Sequence, residues 1–322
     1  MKLYPLPLSS CYLFLAGILM VVSITACSSY PAHHSKSQLA NSSETSCRMI
    51  QHTMGNTCVP NNPQRLVTTS RFTLANALVL DVKPIASTSD YEYSSYLRNK
   101  IEGIDEIGGM YEPNLEKILL LKPDLILGSE IVRKIYPLLS PIIPTALGKW
   151  EGSTRSWREH FNFVAEALGK QEAAQQAWNR YYQRIKELKI ALNDRYVDKE
   201  ISIIGVYGGM RIYSDSQDSF AGSILNDIGL QRVRNSNSRL PISEEKLEEI
   251  DGDIIFVMIF QEKQENSRKT FEKLQQKPLW KKLRAVQKSQ VYLVDRDAWI
   301  GSSLIAADVV IDDLYKYLVN TP

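Results

Sequence analysis

The tract from Gln171 to Asn193 constrains the fold more than any other. Its apolar and aromatic residues Ala177, Tyr181, Ile185, Leu188 and Leu192 recur at spacings of three and four. That pattern lays one continuous stripe along a single helix. At about 1.5 Å per residue the helix spans roughly 35 Å, about the width of a small domain. Another helix is predicted just before it, from Trp157 to Leu168, ended by Gly169. A helix of this length between two other folded stretches reads as a spine that joins them.

Both flanking stretches alternate short apolar runs with helical patterns. Before the spine, strands are expected at Leu66–Ser70, from Lys83 to Ser87, at Pro123–Gly128 and at Pro141–Ala146, with helices at Phe72–Leu80 and Asn114–Leu121. After it, Ile201–Tyr207 and Arg211–Tyr213 read as strands about a Gly208-Gly209 turn. Helices follow at Ser219–Ile228 and Glu244–Glu249, strands at Asp253–Phe260 and Gln290–Val294, and a last helix at Ser303–Leu318. Strand–helix alternation predicts parallel sheets with helices on their faces. The expected fold is therefore α/β, with two α/β lobes joined by a long rigid backbone helix and a ligand cleft between the lobes. The boundaries drawn from the sequence are 1–26 for a signal segment, 27–46 for a tether, 47–168 for the N-terminal lobe, 169–196 for the spine and 197–322 for the C-terminal lobe.

The first 26 residues are read as a processing signal. Lys2 supplies a positive start, and the apolar stretch Cys11–Val22 has the length of a signal core and is short for a membrane span. Ile24-Thr25-Ala26-Cys27 resembles a bacterial lipobox, which would make Cys27 the acylated N-terminus and anchor the protein outside the cytoplasm without spanning the membrane. An ordinary secretory signal or a plain anchor helix are the alternatives. The polar, Ser-rich stretch 28–46 reads as a flexible tether. Of the four cysteines, Cys47 and Cys58 remain for the fold. They flank a Met54-Gly55-Asn56 turn signal in a short hairpin, and export would favour a disulfide between them over two free buried thiols. The net charge of +2 gives no reason to expect a nucleic-acid partner.

The segment Gly108-Gly109-Met110-Tyr111-Glu112-Pro113-Asn114-Leu115-Glu116, running on to Lys122-Pro123-Asp124-Leu125-Ile126-Leu127, has a counterpart after the spine. That counterpart is Pro241-Ile242-Ser243-Glu244-Glu245-Lys246-Leu247, followed by Asp251-Gly252-Asp253-Ile254-Ile255-Phe256. Together the two segments resemble the lobes of the rigid-spine, class III solute-binding proteins that serve ferric-siderophore, haem and vitamin B12 ABC transporters. His52-x-x-Gly55, Asn62-Pro63-Gln64-Arg65, Gly208-Gly209-Met210-Arg211 with Ser219-Phe220-Ala221-Gly222, and Asp312-Asp313-Leu314 fit the siderophore branch. The resemblance implies a monomeric lipoprotein receptor for an iron–siderophore complex. Iron would arrive as cargo, with no resident cofactor or metal and no catalytic residue. The partners would be ABC permease subunits with a separate ATPase. In the family an acidic residue on each lobe docks on the permease, and the matching positions are Glu116 and Glu245, with Glu244 a neighbouring competitor.

Ligands of open α/β folds bind beyond the C-terminal ends of the strands. In the first lobe this selects Arg71, Phe72, Tyr91, Tyr93, Tyr96, Tyr111, Glu130 and Trp150. In the second it selects Tyr207, Arg211, Tyr213, Phe260 and Trp299. Guanidinium groups suit the anionic oxygens of a chelate and aromatic faces suit its organic frame. Arg211 also matches an arginine of the family's second lobe. Trp157, Trp178 and Trp280 read as packing residues.

A zinc or manganese receptor would need several imidazole ligands. The four histidines are His33 and His34 in the tether, His52 in the hairpin and His160 on a helix, with none in the second lobe. No G-x-S-x-G elbow, P-loop or H-E-x-x-H motif points to an enzyme, and the Asp312-Asp313 pair reads as solvated. A haem or vitamin B12 receptor of the same fold remains the nearer alternative.

Overall fold

The computed structural model describes residues 47–89, 94–150, 154–216, 218–233, 241–260 and 267–320. The chain enters through an antiparallel hairpin of β1 (Cys47–His52) and β2 (Gly55–Pro60), in register from Cys47 opposite Pro60 to His52 opposite Gly55. A disulfide joins Cys47 to Cys58, with the Cα atoms 5.4 Å apart.

Next comes a parallel sheet of β3 (Leu66–Thr68), β4 (Ala86–Ser87), β5 (Asp105–Glu106), β6 (Leu125–Ser129) and β7 (Thr145–Gly148), in the order β5-β4-β3-β6-β7. Its helices are α1 (Arg71–Val79), α2 (Leu115–Leu120) and α3 (Tyr136–Leu139). The first two are capped as their sequences direct: Ser70 Oγ accepts from the Thr73 N–H and Asn114 Oδ1 from the Lys117 N–H. The ladder of β7 starts at Thr145, later than the sequence suggested, because Pro141 and Pro144 have no N–H to donate. The hairpin caps this last strand with side chains. Thr53 Oγ1 donates to the Leu147 carbonyl at 2.8 Å, and Thr57 Oγ1 to the Thr145 carbonyl at 3.0 Å.

The spine follows as α4 (Thr154–Leu168) and α5 (Gln171–Leu192). The expected stripe on α5 is buried, extended one turn earlier by Ala174. The second sheet comprises β8 (Glu200–Tyr207), β9 (Arg211–Ser214), β10 (Gln231–Arg232), β11 (Pro241–Ile242), β12 (Ile254–Ile259) and β13 (Val291–Val294). Its order is β11-β9-β8-β12-β13, with β10 also paired to β8. Strands β12, β13 and β10 run parallel to β8, while β9 returns antiparallel beside it. Its helices are α6 (Phe220–Ile228), α7 (Ser267–Gln276), α8 (Pro278–Lys281), α9 (Arg284–Gln287), α10 (Arg296–Trp299) and α11 (Leu304–Leu314). Gly229 ends α6 at φ 89°, a left-handed position that glycine adopts without a Cβ penalty.

One buried cluster runs through both lobes. It takes Leu66 and Leu127 from the first sheet, Trp157, Phe161, Tyr181 and Ile185 from the spine, and Phe256, Trp299 and Ile311 from the second lobe. Helix α1 packs on both α4 and α11, so the lobes meet through shared core and not through a linker alone. Each such buried aliphatic side chain contributes about 1.5–3 kcal/mol relative to exposure.

Two expected helices differ in kind. Glu244–Ile250 is a 3-10 helix kinked at Lys246. The last helix is α-helical to Leu314 and continues as a π-helical turn, Tyr315–Val319. Among the described residues no helix is long and apolar enough to cross a membrane. Cys27, the signal and the tether lie outside the described residues.

Candidate functional site

The two sheets aim their strand ends at a cleft between the lobes. A cavity of about 210 Å³ lies between Arg71, Phe72, Tyr111 and Trp150 of the first lobe and Asp215, Ser219, Phe220 and Trp299 of the second. Beside it is a recess of about 230 Å³ lined by Tyr207, Tyr213, Asp215, Met258 and Phe260. Asp215 lines both.

Each lobe presents a stacked aromatic pair. Phe72 and Trp150 lie 4.1 Å apart at 16°, and Tyr207 and Phe260 lie 4.2 Å apart at 15°, with Tyr213 edge-on to Tyr207. The first pair is held from behind. Glu130 Oε1 accepts from the Trp150 N–H at 2.9 Å, so this carboxylate fixes the loop that carries the indole. His160 meets the edge of Trp150, and its Nε2 pairs with Thr73 Oγ1 at 2.9 Å in the first turn of α1. Burial pushes the His160 pKa down to about 4. Gly148 permits this closeness: a Cβ there would stand 2.6 Å from His160 Nδ1 and 2.5 Å from the Phe163 ring.

Cations overlie the aromatic faces. The Arg71 guanidinium is 4.9 Å from the Phe72 centroid, that of Arg296 4.7 Å from Phe260, and that of Arg211 5.7 Å from Tyr207. Arg71 and Arg296 share one carboxylate, Asp297, at 3.9 and 2.5 Å. Burial lowers the pKa of Arg296, against the pull of Asp297 and with the push of Arg71. Burial raises that of Asp297, and the two arginines partly reverse the shift. The Nε atoms of Arg71 and Arg296 are buried without a hydrogen-bond partner.

The structure brings Arg71, Phe72, Tyr111, Trp150, Tyr207, Tyr213 and Phe260 to the cleft. Arg211 sits at its exposed rim, with Nε donating to the Gly208 carbonyl. Trp299 differs from the expectation of a ligand-facing ring. It borders the cavity, but its ring is fully enclosed and packed on Phe256, and its Nε1 donates to Asp313 at 2.8 Å, so it supports the cleft wall from within. Asp313 is accordingly half-buried, unlike the exposed Asp312, and burial raises its pKa. Tyr96 is also a packing residue, its hydroxyl directed at the Gly301 carbonyl and its pKa pushed up to about 12 by burial. Tyr91 and Tyr93 lie outside the described residues. The sequence reading missed Arg296 and Asp297, although they directly follow a recognised strand and the strand-end rule would have found them.

Glu116 stands exposed in the first turn of α2, behind its Asn114 cap. Glu245 is also exposed, and its own backbone N–H and the Ser243 hydroxyl hold its carboxyl below the usual range. Its neighbour Glu244 is committed to Lys277 at 2.8 Å.

The periplasmic binding protein family model matches residues 66–298, most of both lobes and the whole spine. The chain belongs to the periplasmic binding protein family. This periplasmic binding protein is 28% identical to the probable siderophore-binding lipoprotein YfiY of Bacillus subtilis (strain 168), over 98% of each chain. It is 29% identical to the Fe(3+)-citrate-binding protein YfmC of the same organism, over 93% of this chain and 95% of that one. Among solved structures it resembles Staphylococcus aureus SirA complexed with staphyloferrin B, at a TM-score of 0.74 and 26% identity, covering 84% of this chain and 98% of that one. A periplasmic binding protein retains a solute in its cleft, and the paired aromatic walls with arginines above them are the surfaces that this chain offers one.

Proposed function

We propose that this periplasmic binding protein is the lipid-anchored, extracytoplasmic receptor that captures a ferric–siderophore complex and hands it to an ABC importer. The observation that carries the reading is the cleft itself, where three guanidinium groups overlie aromatic faces from both lobes. Such a surface suits an iron already wrapped in anionic oxygen ligands, whose periphery needs charge and stacking and not direct coordination. The names of the relatives, which include siderophore and ferric-citrate binders, support the same cargo.

The chain acts as a receptor and not as a catalyst, working as a monomer with permease subunits and a separate ATPase. Residues 1–26 are removed, Cys27 carries the lipid and 27–46 form the tether. The lobes 47–168 and 197–322 are held by the spine 169–196. Arg71, Tyr91, Tyr93, Tyr111, Trp150, Tyr207, Arg211, Tyr213 and Phe260 receive the chelate. Glu116 and Glu245 seat the loaded receptor on the permease. The Glu244–Lys277 pair favours Glu245 as the docking residue of the second lobe. Two rigidly spaced ion pairs supply orientation and encounter rate more than affinity.

The test has two arms. Tryptophan quenching on adding ferric siderophores, haem or cobalamin should respond to the siderophores, and a response to cobalamin or haem alone would reassign the cargo. The double change Glu116→Arg, Glu245→Arg should abolish uptake in cells while leaving chelate binding unchanged; surviving uptake would remove the docking assignment.

A further inference from the structure

The Arg71–Asp297–Arg296 cluster joins the two halves of the cleft. Arg71 belongs to the first lobe and lines the cavity between the lobes, stacked over Phe72. Arg296 belongs to the second and lies over Phe260, which lines the recess. Among the described residues, Asp297 is the carboxylate that both guanidiniums share. Two cations against one anion leave this cluster a single net positive charge. Asp297 can act either as a clamp that holds both arginines in place or as a charge that sets how strongly they attract an anion. The geometry favours the second role. Its contact with Arg71 is a long one, 3.9 Å, and leaves Arg71 Nε unpartnered. Arg71 also rests on the Phe72 ring, independently of Asp297. The side chains of Arg71 and Asp297 are only 13% and 14% exposed, so solvent screens their charges weakly.

We propose that Asp297 is a specificity-determining residue that tunes the cleft to the net charge of the arriving iron complex. It holds the attraction for highly anionic chelates in check, so that weakly charged complexes compete for the site. This proposal rests on the ferric-chelate reading above. Between fixed positions the Coulomb interaction scales with the product of charges, so removing one carboxylate shifts a trianion far more than a monocation and in the opposite direction.

The experiment measures equilibrium binding of two probes to the purified full chain. One is the trianionic iron(III) complex of a hexadentate tris-catecholamide; the other is the cationic trihydroxamate complex ferrioxamine B. Asp297→Asn, which preserves shape, should tighten the trianion by about tenfold or more and weaken the cation by a few-fold. Arg296→Gln should do the reverse, loosening the trianion and tightening the cation by a few-fold. Opposite signs in the two variants cannot arise from loss of folding. Equal weakening of both probes by Asp297→Asn would make Asp297 a clamp and overturn the proposal, as would no change in either. If neither probe binds the unaltered chain but haem or cobalamin does, the ferric-chelate reading fails and this proposal fails with it. If both probes bind and only the charge dependence is missing, the proposal alone is lost.

Discussion

His160 lies wholly enclosed between α4, the Trp150 indole and the first turn of α1. Burial favours its neutral form and lowers its pKa from 6.5 to about 4. The unfolded chain takes up a proton once the pH drops below the unperturbed value, while the folded chain resists until much lower. The stability that neutral His160 contributes is therefore complete above about pH 6.5 and is lost as the pH falls towards 4, by roughly 3 kcal/mol in all. Urea unfolding at about pH 7.5 and about pH 4.5 should show the unaltered chain losing roughly 2–3 kcal/mol more than His160→Gln. Equal losses in the two proteins would exclude His160 as the source. The acid sensitivity would extend to the cleft, because the same ring supports Trp150 and Thr73.

The β1–β2 hairpin is the smallest element with its own means of stabilisation. It is too short to persist alone, and it is held by the Cys47–Cys58 bond and by Thr53 and Thr57 on the β7 carbonyls. Cys47→Ser with Cys58→Ser should lower unfolding free energy by roughly 2–4 kcal/mol, as loss of a short-loop cross-link does. Chelate affinity should hardly change, since neither cysteine reaches the cleft. A denaturation midpoint that does not move would mean that the β7 contacts suffice. Elements differed in how plainly the sequence announced them. The run in β12 is apolar without interruption and those in β6 and β8 are mostly apolar, because each strand is buried on both faces, and the α5 stripe is a clean helical period. The two-residue strands β4, β5, β10 and β11 are too short to carry a period, and so are the four-residue helices α8 and α9. For the site, strand ends located positions but not directions. That is why Tyr207 and Phe260 face the cleft as expected while Trp299 turns inward to Asp313.

At the scale of the molecule the lobes are tied together by more than one helix. Tyr181 and Ile185 of α5, Trp157 of α4 and Ile311 of α11 belong to one core with residues of both sheets, and α1 bears on α11. Interiors this close-packed resist gradual deformation. Opening the cleft widely would expose that core to water. Ligand capture is therefore expected to proceed by small rotations about a preformed cleft. Small-angle scattering before and after saturation with a ferric chelate should give radii of gyration that agree within error. A large compaction on loading would show a hinge that this packing does not allow.

The hairpin at the chain's entry has a mechanical consequence. Cys47 and Pro60 sit opposite each other at the open end of an antiparallel ribbon, with the N-terminal segment leaving from one strand and the body of the protein from the other. A pull on that segment loads the ribbon in its weakest direction, peeling the rungs apart one at a time like a zip. The cross-link between Cys47 and Cys58 lies at the mouth of the zip. Tension applied to that segment meets a covalent bond before it meets the first few rungs, and the load passes into the first lobe without the ribbon tearing open.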